Sequence, residues 1–505
     1  MTTRYLYICL LLLVHSFTTY SHERDIALPL IYIETGGNSI DRDERTPATI
    51  SIIYPSDKDS IMLSPHSIGI KVRGKTAAQY PKKSYSIEFV DTNQQETDVQ
   101  LFGMRSDDDW ILDAMYIDQA RMRNRLCTDL WNAYNRIPHQ NEEPTALNGT
   151  RGIFVEVVLN GEYNGLYCLT ERIDRKQLKL KKYKNGHRGV SYKADTWDNI
   201  MGYCSYNPHA PMETILWNGF ESEYPGEVSN AGWEYLQEFL EFLSSDYTSD
   251  EFFATNINRY IHLDNLIDYT LLINALYALD NVVKNMYLNI YNVQSDQRMF
   301  FTPWDMDATF GRTYDGTLID QYAFSGSVPF GNQLISRLWE GNVNNFRQTL
   351  TQRWNELRHT TLSPDSVAER IYAYQELLVN SGAFAREQNR WPALCAKNLP
   401  EETAFMTTWY TRNVQVIDST LAHIVSVQPP LDAQQPPLYT IVDHHLVINI
   451  PNTNVTLYSS HGEMLYNAFE HSLHNIELYS NGIYILRIAT IEGDAYTHKV
   501  CYMNR

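Results

Sequence analysis

ALDNVVKNMYLNIYNVQSDQRMFFTPWDMDATFG, residues 278–311, sets Asp280 and Asn285 five positions apart, follows them with two apolar runs, and ends on Asp305-Met306-Asp307. MYLNIYNV and RMFFTPW are rich in aromatic and branched side chains and read as strands. Two carboxylates with apolar flanks are costly to desolvate unless something cationic sits between them. An amide and carboxylates, with no His or Cys among them, form the oxygen set that suits Mg²⁺.

Upstream, EYLQEFLEFL and LDNLIDYTLLINALYAL carry helix-length apolar faces across residues 232–279, and helices return from about 332 to 425. The N-terminal part differs. Residues 27–100 alternate as strands do in IALPLIYIET, SIGIKVRGKT and KKSYSIEFV. Met122, Leu126, Leu130 and Tyr134 share one face of a helix expected over 118–134, and Asn160-Gly161 marks the turn of a hairpin. The linker QPPLDAQQPPLY (428–439) separates this part from a tail of short strands, HLVINI, NVTLYSS, HNIELYS, GIYILRIAT and AYTHKVCYM, expected to form a small β-sandwich.

The 505 residues exceed one ordinary domain, and a net charge of −19 disfavours nucleic-acid binding, which needs a basic surface. Arg4, an apolar run to Val14 and the polar residues after it read as a signal peptide, residues 1–21, too short for a stable membrane span, and no later run reaches the length a span needs. Beyond the signal lie Cys127, Cys168, Cys204, Cys395 and Cys501, whose spacings fit no zinc pattern. One disulfide among them is possible. The adjacent His444 and His445 would face opposite sides of a strand and so do not pair on a metal.

Phosphoryl transfer needs cations on the phosphates, oxygen ligands for a divalent metal, and a carboxylate to orient the acceptor hydroxyl. Asp280 and Asn285 reproduce the Asp-x-x-x-x-Asn spacing of a kinase catalytic loop, and Asp305 falls where the metal-binding Asp would. Each also has a plain reading, since Asp and Asn at such spacing commonly cap helices or form turns. Arg73, Gly74 and Lys75 form a turn of small residues able to approach phosphates, although no Walker A pattern is present. Lys82 and Lys83 open the next strand; Lys83, on the face of Tyr85, Ile87 and Phe89, is expected to point inward. A solvated basic edge is the plain alternative.

IKVRGKTAAQYPKKSYSIEF, DDDWILDAMYIDQARMRNRL, VEVVLNGEYNGLYCLTERID, GVSYKADTW, LDNVVKNMYLNIY and FTPWDMDATFG, in that order, resemble the spore-coat-protein-H (CotH) kinase family over roughly residues 27–425. The resemblance implies an α+β fold, a two-lobed atypical protein-kinase-like domain over 22–427 with a β-rich N-lobe to about 200 and a helical C-lobe. It implies ATP with Mg²⁺ or Mn²⁺ and protein Ser/Thr acceptors. Asp280 is carried over as catalytic, and Asn285 and Asp305 as metal ligands with Asp307 nearby. Arg73, Lys75 and Lys82 or Lys83 would meet the phosphates, and Glu171 in LTERID the adenine-side connection. The chain departs from standard kinases in lacking H-R-D and D-F-G, and its 118–134 helix has no Glu to pair with the strand lysine. Arg121, Arg123 and Arg125 on that helix could serve ATP, but arginines on helices more often lie at the surface.

After the 428–438 linker, VTLYSSHGEMLYN, IELYSNGIYILRI and THKV in residues 439–505 resemble the C-terminal sorting domain of type IX secretion. That implies outer-membrane secretion machinery as a partner, passage through the periplasm, and a secreted or cell-surface location. Two other functions compete: a metal-dependent glycosyltransferase using Asp-Met-Asp, and a non-catalytic surface or coat protein.

Overall fold

The computed structural model describes residues 27–426 and 439–502, apart from 55–60, 183–187, 198, 200, 202–206, 208, 210–214, 227–231, 245–247, 320, 324–330, 394, 443–444, 449–450, 460–463, 471–473, 479–481 and 491–494. The expected signal peptide 1–21 and linker 428–438 therefore lie outside the described residues. Contacts divide the chain into two units, Met1–Val427 and Gln428–Arg505.

Besides a two-stranded ribbon of 99–100 and 106–107, the first unit begins with seven longer strands: β1 (Leu30–Glu34), β2 (Thr46–Tyr54), β3 (Ile61–Arg73), β4 (Ser84–Val90), β5 (Asp109–Asp113), β6 (Gly152–Leu159) and β7 (Glu162–Thr170). They do not form an open sheet. They close into a barrel in the order β1-β2-β3-β4-β5-β7-β6, sealed where Leu30 pairs in parallel with Glu156. Closure removes exposed edges, and Ile31, Ile33, Ile70, Ile87, Leu112, Val155 and Leu169 fill the interior. The β6–β7 turn uses Asn160 and Gly161, both at positive φ (50° and 79°), the conformation a two-residue hairpin demands.

Helix α1 (Arg123–Tyr134) follows β5 and starts later than the sequence suggests. Asp118 causes the delay: its carboxylate accepts the N–H groups of Ala120, Met122 and Arg123, ordering a turn ahead of the helix. The three arginines here are buried and structural. Arg121 bonds the Met115 and Tyr116 carbonyls, Arg123 pairs with Asp118 and Glu402, and Arg125 pairs with Asp129.

Beyond the barrel, β8 (Val190–Ala194), β9 (Leu216–Trp217), β10 (Phe220–Tyr224), β11 (Met286–Ile290) and β12 (Phe300–Pro303) build an antiparallel sheet in the order β9-β10-β8-β11-β12. Helices α2 (Glu234–Leu243), α3 (Asp250–Asn256), α4 (Leu263–Leu276), α5 (Gln333–Glu340), α6 (Phe346–Leu357), α7 (Pro364–Asn380), α8 (Ala383–Arg390) and α9 (Leu399–Ser426) complete the unit. All of α4 after Asp264 is buried; its apolar residues pack on every side, and the polar Asn265 and Asp268 are bonded to Phe301 and Arg353. No helix among the described residues is long and apolar enough to cross a membrane.

Within the second unit, strands 439–442, 445–448 and 474–477 form one antiparallel sheet, and 453–459, 464–470, 482–490 and 495–502 another. Leu446, Ile448 and Ile476 from the first share a core with Val455, Leu457, Leu486 and Ile488 from the second. Cys127, Cys168 and Cys395 are free thiols, and Cys204 lies outside the described residues.

Candidate active site

Register explains how distant residues meet. Met286 pairs with both Ala194 and Pro303, so the residues just outside these strand ends, Asn285, Asp195 and Trp304-Asp305, come to one edge of the sheet. Helix α4 delivers Asp280 to the same edge. It stops at Tyr277, whose left-handed conformation (φ 51°) turns the chain into the short 3-10 segment Leu279–Val282. Asn281 then acts as a staple: its buried amide donates to the carbonyls of Asn285 (2.8 Å) and Trp304 (2.7 Å). Asn285 and Asp305 both hold positive φ (54° and 55°), a conformation that Asn and Asp tolerate better than other residues with a Cβ.

This edge faces the barrel across a cleft of about 260 Å³. From the barrel come Arg73 at the end of β3, the turn beyond it with Gly74 at φ +94°, Lys82 and Asp113. The walls carry five cations, Arg73, Lys75, Lys82, Lys193 and Lys284, and five carboxylates, Asp113, Asp195, Asp280, Asp305 and Asp307. In a chain of net charge −19, this balance makes the cleft less acidic than the chain as a whole.

Arg73, Lys75, Lys82, Asp280, Asn285, Asp305 and Asp307 thus share one cavity. Lys83 and Glu171 do not line it. Lys82, not Lys83, is the interior lysine, because the strand begins only at Ser84 and the alternation does not extend back through Lys83. Lys83 donates to the Ala78 carbonyl at 2.8 Å. Glu171 is fully buried and bound by Arg151 and the Arg105 N–H, which ties the end of β7 to neighbouring loops.

Lys82 has the glutamate partner that α1 lacks. Its Nζ sits 2.8 Å from Glu387 Oε1 on α8, contacts the Leu166 carbonyl, and lies over the Tyr167 ring. Burial outweighs the attraction of Glu387 and pushes the amine down to about 8. Asp280 pairs with Lys284 at 3.1 Å, and Lys75 with Asp195. Asn124 links the two sides: it donates to Asp113 at 3.0 Å and accepts the Met306 N–H at 3.1 Å.

Asp305 opens to the cleft yet is walled in by protein; enclosure and the Asp113 carboxylate push its carboxyl upward, against Arg73 and Lys193. Asp307 is pushed well above the usual range by burial, Asp305 and Asp113. An inserted divalent cation would relieve this repulsion, so the oxygen donors fit one. Among the described residues, carboxylate trios with oxygens within 4.8 Å lie elsewhere, at Glu88–Glu96–Asp108 and Asp98–Asp107–Asp108. Lys176 already neutralises Asp107 and Asp108 at 2.7 and 2.6 Å. A larger hollow of about 580 Å³ in the C-terminal unit, among His445, Leu457, Tyr466 and Tyr484, lacks the charges that phosphate chemistry needs.

Residues 70–417 match the family model described as CotH kinase protein. The chain belongs to that family. It is also 25% identical over 249 residues to the inner spore coat protein H of Bacillus subtilis (strain 168), a match covering 49% of this chain and 60% of that protein. The CotH region contains every cleft residue named above. Sequence reading missed Asp113, Asn124, Lys193, Asp195, Lys284 and Glu387 as site residues. The first five lie in or beside segments that carry the CotH resemblance, whereas Glu387 gave no local signal, standing 305 positions from Lys82.

Proposed function

We propose that this CotH-family chain is an exported atypical kinase that transfers the γ-phosphate of ATP to Ser or Thr hydroxyls of proteins, with Mg²⁺ or Mn²⁺. The reading is carried by the meeting of Asp280, Asn285, Asp305 and Asp307 with Arg73, Lys75 and Lys82 in one cleft. Asp280 orients the acceptor hydroxyl and takes its proton as the new O–P bond forms and the bond from the γ-phosphorus to the ADP oxygen breaks. Asn285 and Asp305 would hold the metal, with Asp307 beside them; when bound, it would neutralise phosphate oxygens and charge developing on ADP. Lys82 and the turn at Arg73–Lys75 supply positive charge on the phosphate side.

The relative's name is that of a coat component. With the signal-like segment 1–21 and the sorting-domain resemblance of 439–505, it supports a secreted or cell-surface location reached through the periplasm, with outer-membrane secretion machinery recognising the C-terminal unit. The deciding experiment offers the mature chain γ-labelled ATP or a labelled UDP-sugar with Mn²⁺, beside Asp280→Ala. Transfer from ATP that Asp280→Ala abolishes is the expected result. Label from the sugar donor alone would make the protein a glycosyltransferase. A folded chain that uses neither donor would make it a non-catalytic coat protein.

A further inference from the structure

The five cleft cations differ in what their donors already hold. Lys82 gives two of its three donors to Glu387 and the Leu166 carbonyl, Lys75 pairs with Asp195, and Lys284 with Asp280. The side chains of Arg73 and Lys193 make no hydrogen bond among the described residues. The guanidinium of Arg73 lies 5.5 Å from the centre of the Trp304 ring, which leaves its N–H edge open. Lys193 Nζ stands 3.8 Å from Asp195 Oδ1 and 4.0 Å from Glu221 Oε2, beyond hydrogen-bonding reach of either. An ammonium has three donors and a guanidinium five, and both are strongest against charged oxygens.

Their placement is complementary. Arg73 ends a barrel strand, while Lys193 is one residue inside the end of β8, in the strand paired with the one that follows Asn285. Both line the cleft into which Asp305 opens, Arg73 from the barrel and Lys193 from the sheet. The recess, about 260 Å³, falls below the roughly 300–1,000 Å³ of pockets that enclose whole ligands. It suits a chain of phosphates better than an entire nucleotide.

We propose that Lys193, together with Arg73, grips the phosphate chain of a nucleoside triphosphate from the two sides of the cleft, and that Lys193 is a binding residue in its own right. The proposal rests on the kinase reading above and adds to it a phosphate contact from the sheet side. Losing Lys193 leaves Asp195 its Lys75 partner, so the substitution should spare the fold.

The test titrates the full-length chain and Lys193→Met with ATP and with inorganic tripolyphosphate, each with Mn²⁺. Lys193→Met is expected to bind both about tenfold more weakly, with an unchanged melting temperature, and Lys193→Arg to recover most of the affinity. Acetylation of Lys193 in the unmutated chain, read by mass spectrometry, should be slowed by tripolyphosphate, which removes any dependence on a variant's folding. Binding by Lys193→Met within about twofold of the parent, or equal acetylation with and without tripolyphosphate, overturns the inference. A parent chain that binds tripolyphosphate but not ATP sinks the kinase reading while the Lys193 comparison still stands. A parent that binds neither overturns both.

Discussion

Replacing Glu387 removes the carboxylate shared by two buried cations. Oε1 receives Lys82 Nζ at 2.8 Å and Arg121 Nε at 2.9 Å, and Oε2 receives the Leu166 N–H at 2.8 Å. Gly165, at φ +121°, makes the approach possible, since a Cβ there would lie 2.5 Å from Oε2. Glu387→Ala leaves Lys82 and Arg121 buried without this counter-charge, at a cost of about 3–5 kcal/mol for breaking such a pair. The stranded Leu166 N–H adds about 1–3 kcal/mol. Glu387→Gln keeps the shape and an acceptor, and should cost less.

The titration of Lys82 makes the effect functional. With Glu387 present the amine sits at about 8, below its ordinary 10.5. The folded state therefore holds this proton less tightly than the unfolded chain, and the group's unfavourable contribution to stability is relieved as pH rises from about 8 toward 10.5. The phosphate binding proposed for Lys82 runs the other way: it would need the ammonium and should weaken as pH rises through about 8. Without the carboxylate the amine falls further, so Glu387→Gln should lose ATP affinity at a lower pH than the parent. Urea unfolding gives the first quantity, and ATP titrations across pH 6–9, bracketing the amine's value of about 8, give the second. Parental stability together with a parental pH profile in Glu387→Gln would refute the reasoning.

Asp305→Ala should abolish Mn²⁺-dependent nucleotide binding, whereas Asp280→Ala should bind ATP and lose transfer; calorimetry beside a labelled-ATP assay separates them. Asn281→Ala cuts the staple to the Asn285 and Trp304 carbonyls, and should cost about 1–3 kcal/mol in urea unfolding and weaken metal-dependent ATP binding. Burial pushes the thiols of Cys127 and Cys168 up to about 12, so neither should react with a thiol reagent at pH 8 until the protein unfolds. Rapid labelling of either in the native chain would contradict their placement.

Much of the candidate cleft was legible because it is local. Asp280, Asn285 and Asp305 flank two strands whose composition announces them, and antiparallel pairing alone brings Asn285 beside Trp304. The strands of the first half were equally plain, but closure into a barrel was not: the parallel pairing of Leu30 with Glu156 joins segments 126 positions apart and leaves no mark on either. Lys82 shows a second limit. Alternation assigned the interior place to Lys83, yet the chain enters β4 only at Ser84, so the pattern did not extend one residue further back. Glu387 and the buried arginines before and on α1 show a third. Charged residues on helices usually face water, and only the tertiary pairing of Arg123 with Glu402 and Arg121 with Glu387 allows them inside.

The most direct measurement is a crystal structure of the chain with Mn²⁺ and a non-hydrolysable ATP analogue. Mn²⁺ is expected on Asp305 and Asn285, the phosphates between Arg73 and Lys193, and the terminal phosphate facing Asp280. Nucleotide bound elsewhere, or Mn²⁺ away from Asp305, would contradict the proposed site.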